Sequence, residues 1–172
     1  MYERGSQVPM RPPLYTPEER IRRDNSVWTL IQGILAPIQF LVFLVSVCLV
    51  LRYINTGEGL QAATISVVIK TLTLYTIMIT GCIWEKVVFD CYLFAPAFFW
   101  EDVFSMLVLA LHTIYLWAVY TGALTPLEQM YLALAAYATY AINAGQFIWK
   151  LRMARLDMAR RDAMSAPGEL AI

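Results

Sequence analysis

One histidine, His112, stands in 172 residues, and the three cysteines, Cys48, Cys82 and Cys91, form no CxxC. A single imidazole cannot supply the paired Glu-x-x-His motifs of a di-iron bundle, nor both axial ligands of a haem. Scattered thiols, two of them inside apolar runs, read as small buried or lipid-facing hydrophobes rather than as a metal or disulfide set. The chain lacks a Walker loop, a GxSxG elbow and a dinucleotide fingerprint, and with them the chemistry those motifs carry. Charge is also scarce. Only 15% of residues are charged, against roughly a quarter in a soluble domain, and the formal net charge of zero gives no hint of nucleic-acid binding.

Apolar residues fill the space that charge leaves. They make up 59% of the chain, the mean hydropathy is +0.56, and water cannot be kept from that much apolar surface in a domain this small. Four stretches, 27–53, 63–89, 99–120 and 130–149, each reach the roughly 20 residues that a hydrocarbon core requires. The expected fold is therefore all-α: an integral membrane bundle of four transmembrane helices within residues 16–156. Residues 1–15, with three prolines, read as an N-terminal tail, and 157–172 as a C-terminal one. No cleavable signal is evident, because an Arg-rich segment precedes a first apolar run too long for a signal-peptide core. Thr16-Pro17-Glu18-Glu19 has the grammar of a helix start, with a capping Thr, Pro at the first position and Glu19 closing a capping box.

Of 13 Lys and Arg, five precede Val27 and five follow Trp149. By the positive-inside rule both termini and the middle connection belong on the cytoplasmic side. The turns at 55–59 and 121–126 belong on the opposite side. Pro37 should kink the first span or free a carbonyl, which membrane helices tolerate.

Polar residues recur on one face of each span. Gln32, Gln39 and Ser46 share a stripe on the first, and Asn143, Gln146 and Lys150 on the fourth. On the third, Glu101, Ser105 and His112 fall within about 40° of one another at 100° per residue, and Lys70 and Glu85 mark opposite ends of the second. A bundle with a polar interior follows. Amides and hydroxyls in such places commonly just bond a neighbouring helix, Lys70 has the reach to snorkel to an interface, and a lone histidine is more often a satisfied interior group than a ligand. The carboxylates Glu85, Glu101 and Asp102 meet at one membrane face among aromatics. There crowding and partial burial favour a carboxyl group that keeps its proton. Acid/base chemistry on an apolar, planar substrate is the class that remains.

The segments Trp84-Glu85-Lys86-Val87-Val88-Phe89 and Tyr92-Leu93-Phe94-Ala95-Pro96-Ala97-Phe98-Phe99-Trp100-Glu101-Asp102-Val103-Phe104-Ser105-Met106 resemble the 2-vinyl bacteriochlorophyllide hydratase family of bacteriochlorophyll biosynthesis. So do Tyr15-Thr16-Pro17-Glu18-Glu19-Arg20, Ser26-Val27-Trp28-Thr29-Leu30 and Tyr137-Ala138-Thr139-Tyr140-Ala141-Ile142-Asn143, so the likeness runs from Tyr15 to Leu156. The resemblance implies a multi-pass protein of the bacterial inner membrane and addition of water to the C3 vinyl group of chlorophyllide a or a close relative. Its partners are then a chlorophyllide-type Mg-tetrapyrrole substrate and the lipid bilayer. Other pigment-biosynthesis enzymes or a homo-oligomer are admissible partners, with no nucleic acid and no cofactor of its own.

Vinyl hydration needs a proton donor, a base or water-orienting group, and a wall for the macrocycle. Glu101 and Asp102 suit the acid and the base in either order, with Glu85 next in line. His112 suits either an axial ligand to the pigment Mg or the proton donor. Trp84, Phe98, Phe99 and Trp100 suit the wall, and Ser105, Asn143 and Gln146 polar contacts to substrate. A non-catalytic pigment carrier or assembly factor would use the same wall and histidine but be indifferent to Glu101 and Asp102. A small transporter would want an ionisable group near the midplane of a broken helix, for which His112 alone qualifies.

Overall fold

The structure, a computed structural model, describes residues 13–165. Every regular element is a helix: α1 (Pro17–Asn25), α2 (Val27–Thr56), α3 (Leu60–Phe89), α4 (Phe99–Thr121) and α5 (Pro126–Ser165). Residues 1–12 of the expected N-terminal tail lie outside the described residues, as do 166–172 of the expected C-terminal one. Between 157 and 165 the chain continues α5.

Capping chemistry sets the helix starts. Thr16 Oγ1 accepts from the Glu19 N–H while Glu19 Oε2 accepts from the Thr16 N–H, the expected capping box. The same Thr-Pro-x-Glu pattern recurs at Thr125-Pro126-Leu127-Glu128, where Glu128 bonds both the N–H and the hydroxyl of Thr125 and opens α5. Ser26 separates α1 from α2 and caps the second through the Trp28 N–H. Stops are left-handed residues: Gly57 at φ 75°, Gly122 at φ 67°, and Asp90 at φ 64°. Pro37 lies inside α2 without ending it, at the cost of a partner for the carbonyl four residues back.

Three-residue and four-residue turns force α2 against α3 and α4 against α5 as antiparallel pairs, which then meet through α2–α5 and α3–α4 contacts, with α1 lying against α3. One core layer joins Val50, Val67, Tyr115, Met130 and Tyr137. A second joins Leu74, Val108 and Tyr140. Ser46 hydrogen-bonds both Ser66 (2.7 Å) and Tyr137 (2.5 Å), tying α2, α3 and α5 together inside the bundle.

Outside, the polarity is reversed. Leu41, Val45, Leu72, Ile79, Trp117 and Ile148 are all exposed, while Lys70, Glu85, Glu101, Asp102 and His112 are buried. Apolar outside and polar inside is what a lipid surrounding demands, and it would be insoluble in water. Among the described residues three helices, α2, α3 and α4, are long and apolar enough to cross a membrane. α5 has the length but gives positions to Tyr131, Tyr137, Tyr140, Asn143 and Gln146, and its second half is charged.

Candidate active site

The chain between α3 and α4 is a loop whose backbone is bent twice into the left-handed region. At Asp90 the bend is capped by Lys86, whose Nζ lies 2.6 Å from Asp90 Oδ1 and holds that carboxyl below the usual carboxylate range. The second bend is at Phe94, φ 60°, a conformation that disfavours a bulky side chain. Its effect is to turn two successive amides the same way. The Phe94 N–H donates to Asp102 Oδ2 at 2.9 Å and the Ala95 N–H to Glu85 Oε2 at 3.3 Å. Successive amides aimed at one place form an anion-binding concavity. Here it holds Glu85 from the end of α3 and Asp102 from the start of α4 on neighbouring backbone amides.

Glu101 looks another way. One residue earlier on α4 is about 100° round the axis, and its Oε2 accepts from Lys150 Nζ on α5 at 2.5 Å. Lys150 also lies 5.0 Å from the centroid of the Phe98 ring. The three acidic residues therefore gather at one end of the bundle as two units, a carboxyl pair and an ion pair. All three are buried, with at most 6% of their surface exposed.

Beside them is a cavity of about 940 Å³ between the α1 segment and α5, with Tyr15, Arg20, Glu101, Gln146, Trp149 and Lys150 among its lining residues. That volume lies within the roughly 300–1,000 Å³ typical of ligand sites. Tyr15 is stacked on Phe89 (5.7 Å, 14° between planes) with the Arg23 guanidinium 4.6 Å from its ring centroid. Burial pushes the Tyr15 phenol above its ordinary value, so it is a donor and not a base. Arg22 Nε donates to the Val88 carbonyl at 2.8 Å and fastens α1 to the end of α3.

The remaining sequence candidates are dispersed. Trp84 donates its indole N–H to Thr29 (2.9 Å) and meets Phe89 and Phe98 edge-on. Phe98 is buried and stacked on Phe147. These rings form the packed backing behind Tyr15. Phe99 and Trp100 are exposed, 44% and 67%, on the outer surface. Ser105 accepts from Asn143 Nδ2 at 2.8 Å, while Gln146 lines the cavity and its carbonyl oxygen has no protein partner. His112 is wholly enclosed. Its Nδ1 lies 2.8 Å from the Val108 carbonyl and its Nε2 has no partner. Lys70 is also enclosed, its Nζ 3.7 Å from the Tyr140 ring centroid. No cluster of three or more His, Cys, Asp or Glu suited to a metal occurs among the described residues.

Sequence reasoning did not single out Tyr15, Arg20 or Trp149 as cavity residues. The signal available was the Tyr15-to-Arg20 opening, which was part of the family resemblance, and the Asn143, Gln146, Lys150 stripe.

The sequence profile of the 2-vinyl bacteriochlorophyllide hydratase family matches residues 15–153. A protein of Rhodobacter capsulatus named 2-vinyl bacteriochlorophyllide hydratase is 68% identical over 157 residues, covering 91% of each chain. One of the same name from Cereibacter sphaeroides is 72% identical over 145 residues, 84% of this chain and 90% of that one. No solved structure matches.

Proposed function

Because the chain belongs to the 2-vinyl bacteriochlorophyllide hydratase family, we infer that it adds water to the C3 vinyl group of a chlorophyllide-type tetrapyrrole, using Glu101 and the Glu85–Asp102 pair. It is a hydro-lyase of bacteriochlorophyll biosynthesis, and its product carries a 1-hydroxyethyl group. A proton added to the terminal vinyl carbon leaves the inner carbon cationic, with the charge spread into the macrocycle. Water then bonds to the inner carbon and gives up a proton, so one proton enters and one leaves.

That sequence asks for a group that holds a proton and a carboxylate that takes one. The Glu85–Asp102 pair suits the first role, since two buried carboxyl groups held on adjacent amides favour keeping a proton between them. Glu101 suits the second. Lys150 occupies one of its oxygens, fixing the group and leaving the other to orient the attacking water. Nearby negative charge would also stabilise the cation. Gln146 offers a further acceptor to that water, and Trp149 and Tyr15 offer ring surface to the macrocycle, with Trp84 and Phe98 behind. The carrying observation is a buried carboxylate, Glu101, in the wall of a cavity of about 940 Å³ close to the Glu85 and Asp102 carboxyl groups.

We further infer four spans, the fourth formed by α5 over about 130–149, with both termini on the cytoplasmic side of the bacterial inner membrane. The packing of α5 against α2 and α4 supports this, as do the basic residues at both chain ends.

Membranes containing the chain should convert a 3-vinyl chlorophyllide to a product heavier by one water, read by mass spectrometry. Glu101→Gln and Asp102→Asn should each lower turnover about 10²-fold or more while sparing pigment binding, since the amides keep the shape. Binding without any product in the wild type would instead favour a pigment carrier. Full activity in both variants would remove these residues from the mechanism.

A further inference from the structure

The cations around the cavity are not equivalent. Lys150 is committed to Glu101. Arg22 gives its Nε to the Val88 carbonyl, and Arg23 is shared between Asp24 at 2.7 Å and the Tyr15 ring. Arg20 lines the cavity, and its ionic partner among the described residues is Asp24 at 3.9 Å, too long for a hydrogen bond, with both side chains 53% exposed. Its fork of donors is thus available at the mouth, while Glu101 lies buried within.

The substrate has a matching pair of ends. A pigment of the "-ide" kind is a free acid: its propionate side chain on the macrocycle is an unesterified carboxylate, carried on a different pyrrole ring from the vinyl group. The vinyl group must reach the buried carboxylates. A propionate driven in there would meet Glu101 and the Glu85–Asp102 pair, and burying it uncompensated would be costly. Left at the mouth it stays partly hydrated and meets the planar fork of a guanidinium, which bonds a carboxylate in bidentate fashion. Asp157 lines the same cavity from α5 and repels a second carboxylate, which biases the propionate toward the α1 side.

We propose that Arg20 binds the substrate's propionate at the cavity mouth, so that the macrocycle enters vinyl edge first and the enzyme prefers the free acid to its ester. The proposal rests on the hydratase reading and adds to it the direction in which the pigment sits. Arg20 is here a binding and specificity residue and takes no part in the proton transfers.

The test compares 3-vinyl chlorophyllide with its methyl ester as substrates for the full-length protein in membranes. Wild type should favour the acid in kcat/KM by on the order of tenfold, the size of one charge-assisted contact, with the difference lying in KM. Arg20→Gln should bring the acid-to-ester ratio close to one, and Arg20→Lys should restore part of the preference. The readout is a ratio within one preparation, so a smaller folded fraction cancels out. A wild-type ratio near one overturns the proposal, as does an Arg20→Gln ratio equal to that of wild type. Hydration of both pigments without preference would sink the role of Arg20 and leave the hydratase reading intact, whereas no gain of water by either would remove both.

Discussion

His112 gives one ring nitrogen to the Val108 carbonyl and keeps the other inside the bundle, 5.8 Å between its ring and that of Tyr137. The imidazole is wholly enclosed, which favours a role in helix packing over axial ligation or proton donation. His112→Ala should lower unfolding stability by roughly 2–4 kcal/mol through the cavity it leaves. It should weaken the binding of Mg-containing and Mg-free pigment alike, measured by titrating both. A loss confined to the Mg pigment would make His112 an axial ligand after all. At this scale the three carboxylates were legible from their spacing around the 90–98 connection. Which of them pair was not. That depends on a single 100° step between Glu101 and Asp102, and on a left-handed Phe94 that no propensity would suggest.

The connection between α3 and α4 is where an element is fixed by strain rather than by sequence preference. Phe94 at φ 60° aims the amides that hold Asp102 and Glu85, and its ring lies 5.7 Å from that of Phe99. A side chain in this conformation costs about 1–2 kcal/mol that glycine does not. Phe94→Ala loses the ring and keeps the cost, so Phe94→Gly should be more stable than Phe94→Ala by about 1 kcal/mol. Thermal unfolding of the two variants in one detergent would check it, and the reverse order would mean the bend is not retained. Among the helices, the α1 capping box could be read from Thr16, Pro17 and Glu19. The equivalent box at Thr125 looked like part of a turn, because a Gly- and Pro-containing stretch fits either. The length of α5 was hidden for a different reason: beyond Trp149 the helix carries charged residues and no longer follows an apolar period.

For the whole molecule, the inverted polarity was legible because composition alone places so much apolar surface outside. How the helices join to build a cavity was not, since that depends on α1 folding back along α3 and on Arg22 reaching Val88. Topology is open to direct measurement. Single cysteines placed at residues 57 and 124 should be labelled from the periplasmic side, and one at residue 5 or 165, or the native Cys91, from the cytoplasmic side. Labelling of residue 91 from the periplasm would refute the four-span arrangement.

The cavity is walled on one side by α1, a nine-residue helix joined to the bundle through Ser26 and flanked by exposed apolar side chains such as Ile21, Val27 and Leu30. Such side chains suit the membrane interface, so pigment can reach the opening along the bilayer surface while Arg20 keeps the propionate at the water boundary. Encounter is then a two-dimensional search. The concentration that governs turnover is the mole fraction of pigment in the lipid, not its amount per litre. Adding pigment-free lipid or detergent at fixed enzyme and pigment should slow the reaction by surface dilution.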